Sequence, residues 1–384
     1  MQPVYLDYNA TTPIDPEVAA AMQPYLLEHF GNPSSGHIYG RRTHEAVETA
    51  RQQVASILQC DPEEVIFTSG GSESNNYAIK GAVWAHRNQG KHIITSTVEH
   101  PAVIEVCKYL ETKGFEVTYV PVDADGLIDL QALERAIRPE TILITVMHAN
   151  NEVGTIQPIS EIARLAKSRH ILLHTDAAQS VGKIPTSVDA LGVDLLTVAG
   201  HKVYAPKGIG VLYLRRGTQL EKLMHGADHE RNHRAGTENV LGMVGLGKAC
   251  EIAARDLAQN MAHMQHMRDR LENGIRQRIK ALKINGHAER RLPNTLSISF
   301  PHLEANRLLE VMEGVAASSG AACHSGDVKV SAVLAAMQVP LTYAMGTLRF
   351  STGRMTTAAD IDRAVDVVVD AVQHVASTAA AASS

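Results

Sequence analysis

Between residues 65 and 214 the chain alternates short, apolar, β-branched runs with stretches of helical periodicity, and that alternation decides the fold class. Residues 65–67, 93–96, 117–120, 142–147, 171–173, 195–198 and 210–214 read as strands. Residues 75–86, 102–110, 130–137 and 159–166 read as helices between them. Strands this uniformly apolar must be buried on both faces. The pattern therefore predicts an α/β fold built on a mostly parallel sheet with helices on either side. In such a sheet ligands lie outside the carboxyl ends of the strands, so residues that carry chemistry are sought there.

The flanks read differently. Residues 1–14 are polar and irregular and form an N-terminal arm. Residues 31–36 are a turn cluster. A helical stripe follows at Val47, Ala50, Val54, Ile57 and Leu58. Beyond residue 238 the texture changes: 240–279 reads as almost continuous helix, followed by strands at 296–300 and 348–351 and helices at 306–313 and 358–375. That is an α+β unit. The expected organisation is an arm (1–14) packing with the small domain, a large domain (15–255), a small α+β domain (256–376) and a flexible Ala/Ser-rich tail (377–384).

Composition narrows the function classes. A net charge of −5 and 4% aromatic residues leave neither a basic face nor a stacking platform for nucleic acid. No apolar run reaches the roughly 18–20 residues of a membrane span. No basic and apolar leader opens the sequence. Four cysteines lie far apart without a C-x-x-C pair, which fits reduced thiols and a cytoplasmic location.

Three strand ends carry candidate chemistry. Ser69-Gly70-Gly71-Ser72-Glu73-Ser74-Asn75-Asn76 joins a strand to a helix; a phosphate fits its glycines and free N–H groups, and a plain helix cap with Ser72 as N-cap fits equally well. Asp176 follows the strand at 171–173, where it pairs with a protonated ring nitrogen or merely caps the next turn. Lys202, in Ala199-Gly200-His201-Lys202, ends another strand one β-α-β unit later. An ammonium there avoids the cost of burial if it is tied up in a Schiff base, although a lysine at a loop edge is the commoner case. Asp176 and Lys202 together point to pyridoxal 5'-phosphate (PLP), whose pyridinium needs an anionic partner to act as an electron sink.

Beyond these patterns, the chain resembles the NifS/IscS-type cysteine desulfurases, PLP-dependent enzymes of fold type I in the class-V aminotransferase group. The resemblance runs from Tyr5-Leu6-Asp7-Tyr8-Asn9-Ala10-Thr11-Thr12-Pro13 to Leu348-Arg349-Phe350-Ser351-Thr352-Gly353-Arg354. It is carried by Glu99-His100, 147–154, 176–183, 200–208, 234–239 and Ser318-Ser319-Gly320-Ala321-Ala322-Cys323. It implies a seven-stranded sheet in the large domain. It implies that Lys202 holds PLP and moves protons, that Asp176 pairs with the ring nitrogen, and that Gln179 contacts the phenolic oxygen. His100 would stack on the ring and serve as acid or base. Gly71, Ser72 and His201 would hold the phosphate, joined by Thr237 from the other subunit of a homodimer. Asn151 and Arg349 would bind the substrate carboxylate, a task suited to the guanidinium fork. Cys323 would take sulfur from L-cysteine as a persulfide, leaving L-alanine, and pass it to an acceptor protein; His100 or His324 would help form its thiolate.

Some positions depart from the family. Ala199 replaces a serine of the phosphate site. Gly-Ala-Ala-Cys-His-Ser, with Glu230-Arg231-Asn232, also resembles selenocysteine lyases, so release of selenium from L-selenocysteine is the alternative reading. The loop after Cys323 has the longer group I length. The C-terminal extension that docks an iron–sulfur scaffold protein in housekeeping members is lacking. The cluster from His225 to His233 could be read as a metal site, but the family's corresponding loop holds none, and no metal is expected. Cys60, Cys107 and Cys250 read as small buried hydrophobes.

Overall fold

The computed structural model describes residues 2–324 and 327–382; the side chains of 321–329 and of 379 onward lie outside the description. The arm enters as β1 (Val4–Tyr5). The main sheet comprises β2 (Val65–Thr68), β3 (His92–Ser96), β4 (Glu116–Val120), β5 (Thr141–Thr145), β6 (Leu172–Asp176), β7 (Leu195–Ala199) and β8 (Gly210–Leu214). Its order is β2-β8-β7-β6-β5-β3-β4. All neighbours are parallel except β8, which runs antiparallel to both β2 and β7. The segment joining β7 to β8 is too short for a crossover helix, so β8 must return antiparallel.

Successive strand residues feed two separate cores, one on each face. Val65, Phe67, Ile94, Ile144, Leu196 and Val211 pack with the helices Ile38–Leu58, Ile159–Ser168 and Val240–Arg255. Ile66, Ile93, Leu143, Leu195 and Leu212 pack with the helices Gly71–His86 and Pro101–Glu111. The all-apolar strands of the sequence are thereby accounted for.

The second unit is a four-stranded sheet formed by β9 (Lys283–Asn285), β10 (Thr295–Ser299), β12 (Ser318–Ser319) and β15 (Thr347–Ser351), in the order β12-β15-β10-β9 and antiparallel throughout. The helices Leu257–Arg278 and Ala358–Ala382 cover it, with Leu271, Ile298, Phe350 and Val368 in its core. The arm joins this unit: β1 pairs in parallel with β11 (Val315–Ala316), and Asp7 bridges to Ser351. Between β12 and β15, β13 (Ala321–His324) and β14 (Asp327–Val330) form an antiparallel hairpin where the sequence suggests an open loop.

The stretch 240–279 is almost wholly helical, as expected, in two helices that part at Asp256 (φ −110°, ψ 12°). One further expectation is corrected. The last helix runs to Ala382 instead of ending at 375, as its alanine run favours.

One contact anchors the sheet edge. Arg51 and Glu230 form a buried, two-pronged pair (2.8 and 2.9 Å) against β2. Arg51 Nη1 donates to the carbonyl of Val65 (2.8 Å), and Glu230 accepts from the N–H of Phe67 (2.8 Å). The pair thus satisfies edge groups that a further strand would otherwise reach. Glu230, Arg231 and Asn232 all have left-handed φ (47°, 52° and 66°), a costly run for side-chain-bearing residues. The buried carboxylate holds that turn, five residues before Thr237, on the sheet.

Candidate active site

The carboxyl ends of the parallel strands converge on a cavity of about 400 Å³. β6 delivers Asp176 and the turn after it Gln179, the turn after β7 delivers His201 and Lys202, and the turn after β3 delivers His100. Gly71 and Ser72 enter from the start of the helix after β2, and Asn151 and Arg349 also line the cavity. Nine of the residues singled out in the sequence therefore share one cavity. Thr237 is exposed and does not line this cavity of its own chain. Cys323 has its backbone on β13, but its thiol, like the His324 ring, lies outside the described residues.

Asp176 forms the floor. It is buried, and accepts from Asn75 Nδ2 (2.7 Å) and from the N–H of Ala178 (2.9 Å). Lys202 is held below the usual lysine range, first by burial and then by the Arg349 charge, against the pull of Asp176. Burial and the Lys202 charge likewise lower His100, again opposed by Asp176. His100 caps its helix, Nδ1 accepting from the N–H of Ala102 (3.1 Å). The neutral ring consequently carries its proton on Nε2 and acts as a donor from that nitrogen. Burial and the Lys202 charge push His201 down to about 4.

The phosphate cradle has a different cap from the Ser72 reading. The N-cap of the helix Gly71–His86 is Gly70, at φ 150°, with no side chain bonded over the helix end. That φ is open to glycine alone. A Cβ on Gly71 would meet Ala199 Cβ at 3.2 Å, so the turn and the strand end lie in contact and the N-terminal amides remain uncovered by a side chain.

Arg349 sits opposite. It donates through Nη1 to the carbonyl of Asn151 (3.0 Å) and through Nη2 to Asp7 Oδ1 (2.7 Å) and Ser318 Oγ (2.8 Å). Among the described residues its buried Nε has no partner, and neither has Asn75 Oδ1. A buried carboxylate, two cations, an uncapped helix end and an unpartnered guanidinium nitrogen suit a flat cationic ring bearing a phosphate, joined to a substrate carboxylate. The residues fit PLP.

Matching against protein families identifies residues 4–364 as Aminotransferase class-V. The chain belongs to the class-V aminotransferase family. Family members depend on PLP. Among similar curated proteins, "Cysteine desulfurase IscS" of Dictyoglomus turgidum is 49% identical over 95% of this chain and 93% of its own length. The protein of the same name from Methanosarcina thermophila is 47% identical over 96% and 92%. Among solved structures, a "NIFS-like protein" covers 97% of this class-V chain and 100% of its own, with a TM-score of 0.92 at 37% identity. "SspA in complex with cysteine" covers 92% and 99%, with a TM-score of 0.82 at 36% identity.

Sequence reasoning gave no role to several residues at the site. Asn9 lines the cavity, Lys183 is buried beside Gln179, and Glu99, next to His100 in the chain, is buried too. Glu99 is raised to about 8 by burial, while Ser96 Oγ (2.5 Å) and the N–H of Met147 (3.0 Å) bond to it. The available signal was position: Lys183 lies four residues after Gln179, and Glu99 lies next to His100. The other cysteines are outside the site. Cys107 and Cys250 are buried and Cys60 half-buried, and burial pushes all three thiols up to about 12. Among the described residues, no group of three or more His, Cys, Asp or Glu side chains is placed to share a metal ion.

Proposed function

We infer that this chain is a PLP-dependent cysteine desulfurase that converts L-cysteine to L-alanine and collects the sulfur on Cys323. The observation that carries the reading is the meeting of Lys202 and Asp176, from adjacent parallel strands, in one cavity with Arg349 and Asn151. Near-full-length similarity to proteins named cysteine desulfurase supports the choice of reaction within the family.

Asp176 would hold the cofactor ring nitrogen, His100 the ring and Gln179 its phenolic oxygen. Gly71, Ser72 and His201 would hold the phosphate. When bound, PLP supplies the electron sink for the pair left by the departing α-proton. Arg349, with its free Nε–H, and Asn151 orient the substrate carboxylate. Lys202 would hold the cofactor, and its lowered pKa would suit its amine, when free, to take the α-proton. His100, protonated on Nε2, works as the acid. The Cys323 thiolate attacks the substrate sulfur. An S–S bond forms and the Cβ–S bond breaks, its electron pair staying with carbon, which takes up a proton to become the methyl group of alanine.

The site is completed by a second copy, whose Thr237 joins the phosphate. The apolar side chains of Leu26, Leu27, Phe30, Ile38 and Tyr39 are exposed along one segment and suit such an interface. The soluble, cytoplasmic setting and a protein acceptor for the sulfur belong to the same reading, as do domain boundaries near residues 14 and 255. Among the described residues, no helix is long and apolar enough to cross a membrane. Alanine release from L-cysteine and from L-selenocysteine, compared as kcat/KM, tests the reaction. Turnover of L-cysteine with sulfur retained on Cys323 supports the desulfurase; alanine from L-selenocysteine alone identifies a lyase.

A further inference from the structure

We propose that Lys183 is a positioning residue for the cofactor: with Asn9, it fixes the Gln179 carboxamide in one orientation and places a positive charge behind it. The proposal rests on the PLP reading above.

Lys183 is 4% exposed. Its Nζ lies 2.9 Å from Gln179 Oε1 and 3.1 Å from Asn9 Oδ1. Among the described residues it has no carboxylate partner. The surroundings make this costly: Lys202 and Arg349 add like charge, and burial holds Lys183 well below the usual lysine range. His201 faces the same group and is itself held neutral. An ammonium placed among cations, with only two amide oxygens for company, lacks an anion that this chain does not supply. The phenolic oxygen and phosphate of the cofactor are anions of the required kind.

The hydrogen bonds fix which way the amides face. Asn9 Oδ1 accepts from both Lys183 and Asn294 Nδ2 (2.9 Å), so that atom is the oxygen. Asn9 Nδ2 donates to Thr295 Oγ1 (2.8 Å) and to the carbonyl of Asn151 (3.2 Å). Gln179 Nε2 donates to the backbone carbonyl of Asn9 (3.0 Å). The Asn9 carbonyl only accepts, so a flipped Gln179 would set two oxygens against each other there and lose that bond. Gln179 also lines the cavity, and its second Nε2 hydrogen remains for the ligand. Lys183 polarises the amide from its oxygen end and strengthens that donor. Asn9 ties the arrangement to the arm and, through Asn294 and Thr295, to the four-stranded sheet.

The test follows the visible absorption band of the PLP-loaded enzyme through a pH titration. Removing a nearby positive charge favours the protonated chromophore. Lys183→Met should therefore raise the band's transition by about one pH unit, a tenfold change. Lys183→Arg, which keeps the charge, should stay within about threefold of wild type. In a Gln179→Ala background the effect of Lys183→Met should shrink, since it acts through that amide. An unchanged transition in Lys183→Met, or a full-sized shift without Gln179, overturns the proposal. If Lys183→Met does not fold, Asn9→Ala removes one of the two anchors and should move the transition in the same direction; no movement there also overturns it. A wild-type protein that develops no visible band with PLP overturns the cofactor reading instead.

Discussion

Glu99 and His100 are neighbours with opposite proton preferences, and burial explains both. Each is pushed towards its neutral form, Glu99 upward and His100 downward. For Glu99 the folded pKa of about 8 lies above its value in the unfolded chain, about 4.3. The native state therefore keeps a proton that the unfolded state has released. The stability this contributes is complete at acid pH and is lost as pH rises through 8. Glu99→Gln retains an oxygen acceptor for Ser96 and Met147 but cannot ionise. Relative to wild type, the variant should gain stability from about pH 5 to 8 in urea unfolding and level off above that; a gap independent of pH would contradict the assignment. At this scale the sequence was only partly legible. Lys202 and Asp176 stand out because they end apolar strands. Asn9 and Arg51 do not: the partners that bury them lie far away along the chain. Lys183 has Gln179 four residues before it, but that spacing alone gives no sign that the pair is buried.

At the scale of elements, the strand runs and their flanking helices were legible because each strand buries both faces and so reads as unbroken apolar sequence. Short strands escaped, β13 and β14 among them, because β12 through β14 are polar and glycine-containing and have no period to count. The Arg51–Glu230 pair escaped too, although it closes the β2 edge and holds a left-handed turn. Glu230→Ala leaves the Arg51 guanidinium buried without its partner and the Phe67 N–H without its acceptor. We expect a loss of about 3–5 kcal/mol in denaturant unfolding. Replacing both residues, as Arg51→Met with Glu230→Leu, should recover part of that loss, because no buried charge remains. The turn leads to Thr237, so the single variant should also weaken PLP retention; normal retention at that loss of stability would separate the turn from the site.

For the whole molecule, the resemblance implied a site larger than one chain. Thr237 is exposed, and the segment carrying Leu27 (86% exposed) and Phe30 (73%) presents apolar surface of the kind that marks an interface. Light scattering should give twice the 41.5 kDa chain mass, and Leu27→Glu with Phe30→Glu should yield monomers that hold PLP less tightly. Monomers with undiminished PLP affinity would contradict a shared site. Within one chain, Asn9 links arm, main sheet and four-stranded sheet at the edge of the cavity, so the two cores meet where the chemistry is placed. On the proposed reaction, sulfur capture requires Cys323 to reach that cavity. Alanine release from L-cysteine by PLP-loaded Cys323→Ala tests this most directly. The account predicts a visible band like that of wild type, still altered by L-cysteine, with alanine production down by a hundredfold or more, as expected on losing a nucleophile; alanine release at the wild-type rate would contradict it.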